Sequence, residues 1–267
     1  MASFSVVSNI ASQNAQANLY STQAGLQKAL TRLSSGLRIN MSGDDAAGLA
    51  VANAYRSDVA VINQGIRNAN DGLSTLQIKD GALNNIATLI DRLATLASQS
   101  ASGSTTDASR LTLQQEADAV VAEIGREATV AGLDTQAGFS IFVSNDGTNG
   151  VVSGSLSQVT TTSLGINALD INDIAAAKTA VATLTTAIAT LGTVQGSVGT
   201  IENRLQFAIT LAQSQKTSKQ AAESRIRDAN VAEESANMTK FNILQQSGIA
   251  ALAQANQTSA SVLSLLR

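Results

Sequence analysis

The sequence predicts a mainly α-helical protein, a long antiparallel helical bundle or coiled coil with a small β-hairpin region. Three observations lead to this fold class. The 267 residues include no proline, the residue that interrupts helix interiors. Each half of the chain contains a long heptad repeat of mostly apolar residues. A short segment between the two repeats alternates in polarity and is rich in turn-forming residues.

The first heptad repeat predicts one uninterrupted helix in the first half of the chain. From position 48 to position 97, apolar residues recur at alternating steps of four and three, and only Gly48 and Asp80 interrupt them. This spacing keeps one apolar seam on one side of a helix. About 50 residues correspond to roughly 75 Å of helix at about 1.5 Å per residue.

The second heptad repeat has a similar length, so the two helices can lie antiparallel beside each other. It comprises Ile174, Ala177, Val181, Leu184, Ile188, Leu191, Gln195, Val198, Glu202, Leu205, Ile209 and Ala212. A shorter helix at about 106–129 would complete the bundle. Its apolar positions are Leu111, Leu113, Val120, Val121 and Ile124.

The segment from about 138 to 165 predicts one or two β-hairpins. Residues 139–143 are mainly apolar and β-prone, residues 145–150 supply turn formers, and the residues after 151 are rich in Ser, Thr and Val. The turn is expected at Asp146-Gly147 or at Asn149-Gly150, because such pairs accept the positive φ angles of tight hairpins.

Local signals mark the helix ends. Gly36 should stop the first terminal helix as its left-handed C′ residue. Ser42 and Asp45 have the spacing of a capping box, which predicts a helix start there. The adjacent acids Asp44 and Asp45 could instead be a catalytic or metal-binding pair, but no other ligand type clusters nearby and adjacent helical residues do not face each other. The residues at 101–104 predict the turn to the third helix.

The two chain ends lack charge, which is unusual for helices in contact with solvent. No charged side chain occurs from Met1 to Gln27 or from Phe241 to Leu266, although apolar residues recur at helical spacing in both. We therefore expect both ends to pack inside an assembly and to be largely disordered in the monomer. The expected self-assembly contacts are Leu19, Leu26, Leu30, Leu33, Phe241, Leu244, Leu252, Leu263 and Leu266.

These boundaries predict two domains. One is the helical-bundle domain with the hairpin, residues 43–223, and the other consists of the terminal segments, residues 1–42 and 224–267. A mixed charge cluster lies at the second boundary, where either a solvated face or pairing between subunits would explain it. Its members are Arg225, Arg227, Asp228, Glu233 and Glu234.

Composition argues against several functional classes. The chain has no Cys, His or Trp, so thiol chemistry and the usual general base are absent, and we expect no catalytic, cofactor or metal site. A net charge of −3 disfavours binding to nucleic acid. We expect no cleaved signal peptide, because the N-terminus lacks the basic and apolar regions of a signal sequence. We also expect no membrane insertion, on the interpretation that no stretch of about 20 residues is apolar enough to span a bilayer.

Motifs at both ends resemble those of bacterial flagellins, here in a short form with only the inner domains. They are LSSGLRIN (33–40), DDAAGLA (44–50), NANDGL (68–73), ESRIRD (223–228), ILQQ (243–246), LAQANQ (252–257) and VLSLLR (262–267). The resemblance implies that residues 1–42 and 224–267 pair as one discontinuous terminal coiled-coil domain. It also implies a non-enzymatic subunit that polymerises into the extracellular flagellar filament by coupled folding of its terminal helices. A flagellar hook–filament junction protein is the alternative.

The resemblance also implies partners. These are other flagellin subunits, a flagellar export chaperone, the filament cap and hook-associated proteins, with export through the flagellar type III apparatus. Flagellins are also sensed by an animal Toll-like receptor, and the matching positions here are Arg92, Leu96 and Glu116. The alternative for these side chains is an ordinary solvated face.

Overall fold

The computed structural model describes residues 8–144 and 150–265. It divides into two compact units, which we call the terminal unit (Met1–Ser57 with Ser218–Arg267) and the bundle unit (Asp58–Thr217). Both unit boundaries lie inside long helices. The boundaries predicted from the sequence lie after residue 42 and after residue 223. The elements in chain order are α1 (Ile10–Ser35), α2 (Ala46–Ser100), α3 (Asp107–Val130), β1 (Ala137–Phe142), β2 (Val151–Leu156), α4 (Ile174–Arg227) and α5 (Val231–Leu265).

In the terminal unit, α1 and α5 pack side by side and antiparallel. Asn9 at the start of α1 donates to the carbonyl of Ala255 at 2.9 Å, while Arg32 near the end of α1 pairs with Glu234 in the first turn of α5. Gly36 ends α1 with φ 69°, and its N–H donates to the Arg32 carbonyl. The predicted left-handed stop at this glycine is therefore confirmed.

The start of α2 differs from the sequence prediction. Its first residue is Ala46, and the Oδ1 atom of Asp45 accepts the N–H of Gly48 at 2.9 Å, so Asp45 is the cap. The prediction of a capping box begun by Ser42 is wrong. The neighbouring Asp44 accepts the N–H groups of Asn40 and Met41 instead and so closes the turn before the helix.

In the bundle unit, α2 presents the predicted seam to the core. Every position of the first heptad repeat from Val59 to Ala97 is buried or half-buried, including the one charged member, Asp80. The seam on α4 is rotated from the predicted one, because Ile188 is exposed while Ala187 is buried. The buried stripe is Ala177, Ala180, Leu184, Ala187, Leu191, Val194, Val198, Ile201, Leu205, Ile209 and Ala212.

The short helix α3 closes the bundle beside α2. Thr106 caps it by accepting the N–H of Ser109. Its buried face carries Ala117, Ile124 and Ala128, whereas Leu111, predicted as a core position, is exposed. Arg110 is buried and donates to the carbonyls of Ser100 and Ser102, which fixes the turn between α2 and α3.

One antiparallel hairpin follows α3. β1 pairs with β2 from Ala137↔Leu156 to Phe142↔Val151. The predicted turn pairs fall in or next to residues 145–149, which lie outside the described residues. After β2 the chain forms turns rather than a second hairpin. The side chain of Gln114 holds these turns, because its amide donates to the Leu169 carbonyl and accepts from the Ile171 N–H.

The hairpin lies directly against the backbone of α2, where two glycines one heptad apart leave room. A Cβ atom at Gly65 would lie 1.8 Å from the carbonyl oxygen of Val143, and one at Gly72 would meet the end of Ile141. Arg204 on α4 donates to the Ser153 carbonyl at 2.7 Å and so ties β2 to the bundle.

Helix α4 is long and apolar enough, by length and composition, to cross a membrane. Its most apolar window of 18 residues has a mean hydropathy of 1.4. The sequence-based expectation that no such stretch exists is therefore wrong. Only 28% of that window is buried in the structure. Leu184, Leu191 and Val198 are among the residues of α4 that are almost fully buried in the core of the bundle unit.

Candidate functional site

Apart from Leu266, the predicted self-assembly residues lie on α1 and α5, and the helix pair covers those whose side chains are described only in part. Leu19, Leu26, Leu33, Phe241 and Leu252 are half-buried. Two others are largely open to solvent: Leu30 is 47% exposed and Leu244 is 42% exposed. The side chain of Leu263 and the whole of Leu266 lie outside the described residues.

The core of the terminal unit is thin. Among its described residues, the buried apolar side chains are Ala29, Ile39 and Ala52, which are mostly small. Two helices of 26 and 35 residues cannot bury much surface when they contact only each other. Their stability in isolation is therefore low compared with the bundle unit, which has a continuous core of Leu, Ile and Val.

Several large apolar side chains of α1 and α5 lie outside the predicted seams and are more exposed than the residues within them. They are Ile10, Tyr20, Ile243 and Ile249. Sequence reasoning missed them because it followed one apolar face on each helix. The absence of charge from the remaining faces is the signal that could have identified them.

Close approach of α1 and α5 depends on small residues. The ring of Phe241 lies over Gly25, where an added Cβ would come within 2.6 Å of it, and Leu19 lies similarly near Gly248 at 3.2 Å. A large side chain on one helix thus fits over a glycine on the other at two levels of the pair. This alternation sets the register between the helices.

Ion pairs fix the end of the helix pair that adjoins α2 and α4. Arg32 Nη1 contacts Glu234 Oε1 at 3.0 Å, and Glu234 is only 8% exposed. Lys28 contacts Asp44 at 2.7 Å. The hydrogen bond from the Lys28 ammonium lowers the pKa of the Asp44 carboxyl, and the N–H groups of the preceding turn act in the same direction.

Two backbone hydrogen bonds join the segment between α1 and α2 to the junction between α4 and α5. Arg38 donates its N–H to the Arg227 carbonyl at 2.7 Å, and Ala229 donates to the Gly36 carbonyl at 2.9 Å. The charge cluster predicted at this boundary therefore surrounds these two backbone hydrogen bonds. Within it, Glu234 is paired inside the chain, and Arg227 lies 3.9 Å from Glu223.

The positions matched to the Toll-like receptor contact are only partly accessible. Arg92 on α2 forms an ion pair with Glu116 on α3, and both side chains are about half exposed. Leu96 is 1% exposed in the core of the bundle unit. Its side chain therefore does not contribute to the surface that a partner could contact.

The bundle unit also contains one poorly accommodated carboxylate. Burial raises the pKa of Glu202 on α4, and the negative charge of Asp80 on α2 raises it further. Its Oε1 atom is buried without a hydrogen-bond partner. Among the described residues, no group of three or more metal-ligating side chains is arranged to hold a metal ion.

Comparison with known proteins gives two matching family models. The bacterial flagellin N-terminal helical region matches residues 6–138, and the bacterial flagellin C-terminal helical region matches residues 181–266. The flagellar filament 33 kDa core protein of Treponema phagedenis is 37% identical, and the alignment covers 97% of this chain and 98% of that protein. A flagellin of Halalkalibacterium halodurans is 34% identical over the same shares of the two chains.

Among solved structures, a putative flagellar hook-associated protein from Vibrio parahaemolyticus has a similar fold. The TM-score is 0.57 and the sequence identity 14%, with coverage of 69% of this chain and 100% of that one. At this identity the similarity concerns the fold alone.

Proposed function

We propose a mechanism of assembly for this chain, which belongs to the bacterial flagellin family and is a structural subunit of the flagellar filament. In this mechanism, α1 and α5 become ordered together as they pack among the same helices of neighbouring copies. Subunits therefore join through coupled folding of their ends, while the bundle unit is folded beforehand.

One observation carries this proposal: two helices that lack charge over long runs, residues 1–27 and 241–266, leave large apolar side chains exposed. Leu30, Leu244, Ile10, Tyr20 and Ile249 are each at least 42% exposed on the helix pair. Fully burying one such side chain contributes about 1.5–3 kcal/mol. Fixing the backbone costs about 1–2 kcal/mol per residue, so several neighbours are needed before burial exceeds that cost.

This balance of energies favours growth at an existing filament end. A tip presents several copies at once, so an arriving subunit can bury most of its exposed apolar surface in one step. Two free monomers offer each other much less surface. Nucleation should consequently be slow and elongation fast, because the ordering cost of the ends must be met by contacts that two free monomers do not provide.

The family also suggests finer assignments, which we include in the proposal. The chain is exported to the cell exterior without a cleaved signal peptide, with the help of an export chaperone, and adds beneath a filament cap next to hook-associated proteins. Any recognition by a Toll-like receptor would use Arg92 and Glu116. The junction-protein alternative gains no support from a similarity of fold at 14% identity.

Truncation of the last helix tests the mechanism. We expect deletion of residues 257–267 to abolish elongation from filament seeds, because it removes apolar surface that neighbouring copies would cover. The bundle unit should stay helical, as measured by far-UV circular dichroism. Elongation is followed by electron microscopy and by sedimentation of polymer. Normal filaments from the truncated chain would contradict the mechanism.

Point variants make the test more specific. Leu30→Ser and Leu244→Ser remove apolar surface from the helix pair, and Ile78→Ser removes a side chain that is 68% exposed on α2 of the bundle unit. We expect the first two to raise the critical concentration for seeded elongation more than the third does. An equal effect of all three would indicate that loss of exposed apolar surface anywhere weakens the polymer.

A further inference from the structure

The bundle unit exposes an aromatic side chain that its own core does not use. Phe207 on α4 is 76% exposed, and Leu211, one helical turn later, is 60% exposed. Residues four apart lie on the same side of a helix, so the two side chains form one apolar projection. Aromatic residues, Phe included, are enriched in protein interfaces relative to the rest of the surface.

The same unit contains an open groove that could hold an aromatic side chain. It lies between α3 and the turns that follow the hairpin and has a volume of about 390 Å³. Val121, Ala122 and Ala168 form its accessible apolar floor and Asp118 lies at its edge, while Ile166 lies beneath them and is fully buried. A cavity of about 150 Å³ accommodates a benzene molecule. The groove is thus large enough for a phenylalanine ring.

Charge favours contact between these two surfaces. α3 carries five acidic and two basic side chains, a net charge of −3. The part of α4 within the bundle unit, residues 174–217, carries three basic side chains and one acidic one, a net charge of +2. Arg204 lies one turn before Phe207, and Asp118 is exposed at the groove. The projection is therefore on a basic helix and the groove is on an acidic one.

We propose that Phe207 of one copy occupies the groove between α3 and residues 157–173 of a neighbouring copy, with Arg204 near the neighbour's Asp118. The ring covers the apolar floor, and the charges at the edge set the orientation. The contact joins two different surfaces of the same chain. Such a heterologous contact repeats from copy to copy and produces an open helical polymer.

This inference adds a contact between bundle units to the packing of the terminal helices, and it rests on the assembly of copies into a filament. The two can fail separately. Loss of the contact at Phe207 leaves the terminal helices able to pack, whereas failure of the terminal helices prevents filaments from forming at all.

Disulfide cross-linking tests the contact directly, because the chain contains no cysteine of its own. The test variant carries Phe207→Cys with Ala122→Cys, the latter within the groove. The matched control carries Phe207→Cys with Ala108→Cys, which is also exposed on α3 but about 21 Å away along the helix at about 1.5 Å per residue. Both are assembled on wild-type seeds, oxidised, and analysed on denaturing gels without reductant.

The proposal predicts a ladder of dimers, trimers and larger species from the test variant and not from the control. Filaments without a ladder would overturn the contact while leaving the packing of the terminal helices intact. Equal ladders in both variants, a disulfide within one chain, or dimers from Phe207→Cys alone would also overturn it. Failure of either variant to join seeds is resolved with Phe207→Ser, which should raise the critical concentration about tenfold or more; an unchanged value would refute the proposal.

Discussion

Replacing Gly65 by alanine should detach part of the hairpin from α2. Gly65 is buried where the hairpin crosses the helix, and an added Cβ would lie 1.8 Å from the Val143 carbonyl oxygen and 2.4 Å from its carbonyl carbon. These are backbone atoms, so no side-chain rotation can relieve the contact. Either the hairpin or the helix must move.

The expected cost follows from two opposing effects. Forcing extra volume into a packed site costs about 1–3 kcal/mol, and a clash with backbone belongs at the upper end. Alanine in place of glycine inside a helix contributes about 1 kcal/mol of stability. The net destabilisation of Gly65→Ala should therefore be about 2 kcal/mol.

The same helix supplies matched controls. A Cβ at Gly81 would meet nothing within 4 Å, so Gly81→Ala should stabilise the protein by about 1 kcal/mol. Gly72→Ala should be intermediate, because its clash is with Cδ1 of Ile141, the end of a flexible side chain. The order of stability should be Gly81→Ala, then Gly72→Ala, then Gly65→Ala.

Thermal unfolding of the full chain, followed by far-UV circular dichroism, measures the change in stability of each variant. A difference of about 3 kcal/mol between Gly65→Ala and Gly81→Ala corresponds to roughly 6–12 °C in Tm for a unit of this size. If Gly65→Ala were as stable as Gly81→Ala, the hairpin would not lie against α2 as described, and the reasoning would be refuted.

Three further predictions concern α1, its ion pair and the buried acid. Gly25→Ala should weaken the pairing of α1 with α5 by about 1 kcal/mol, because the new methyl group meets the ring of Phe241; seeded elongation measures this. Asp44→Asn should lower stability at pH 7, with the difference from wild type disappearing as the pH falls below the carboxyl's ordinary value of 3.8. The reason is that the bond from Lys28 lowers the folded pKa, so the benefit exists only while the carboxyl is ionised. Glu202→Gln should raise stability at pH 7, because burial raises the folded pKa and ionisation is then unfavourable. Its advantage should shrink toward pH 4.5, as denaturant titrations at several pH values will show.

The long helices could be predicted from sequence because their signals are local. Heptad spacing and the lack of proline predicted α2 close to its observed length, and Gly36 marked the end of α1 correctly. The start of α4 was also predicted, but the helix continues to Arg227, beyond the repeat that ends at Ala212. The rotated seam on α4 could not be found this way. The predicted and observed seams share Leu184, Leu191 and Val198, but the observed seam buries Val194 and Ile201 where the prediction has Gln195 and Glu202.

The parts that depend on three-dimensional packing were not predictable. Asp45 rather than Ser42 caps α2, because Lys28 on α1 holds Asp44 and fixes the turn between them. The helical pattern gives no reason for a glycine at Gly65, because that reason is the close contact with the hairpin at Val143. For the candidate assembly surface, the uncharged ends identified the right helices, but which side chains remain exposed depends on how α1 and α5 face each other.

The central claim is that α1 and α5 become ordered through contact with other copies. Hydrogen exchange measured by mass spectrometry on monomer and filament tests it most directly. We expect segments around Leu19 and Leu252 to exchange rapidly in the monomer and to gain strong protection in the filament, while segments of the bundle unit around Leu83 and Leu191 are protected in both. Equal protection of the terminal segments in the two states would contradict the claim.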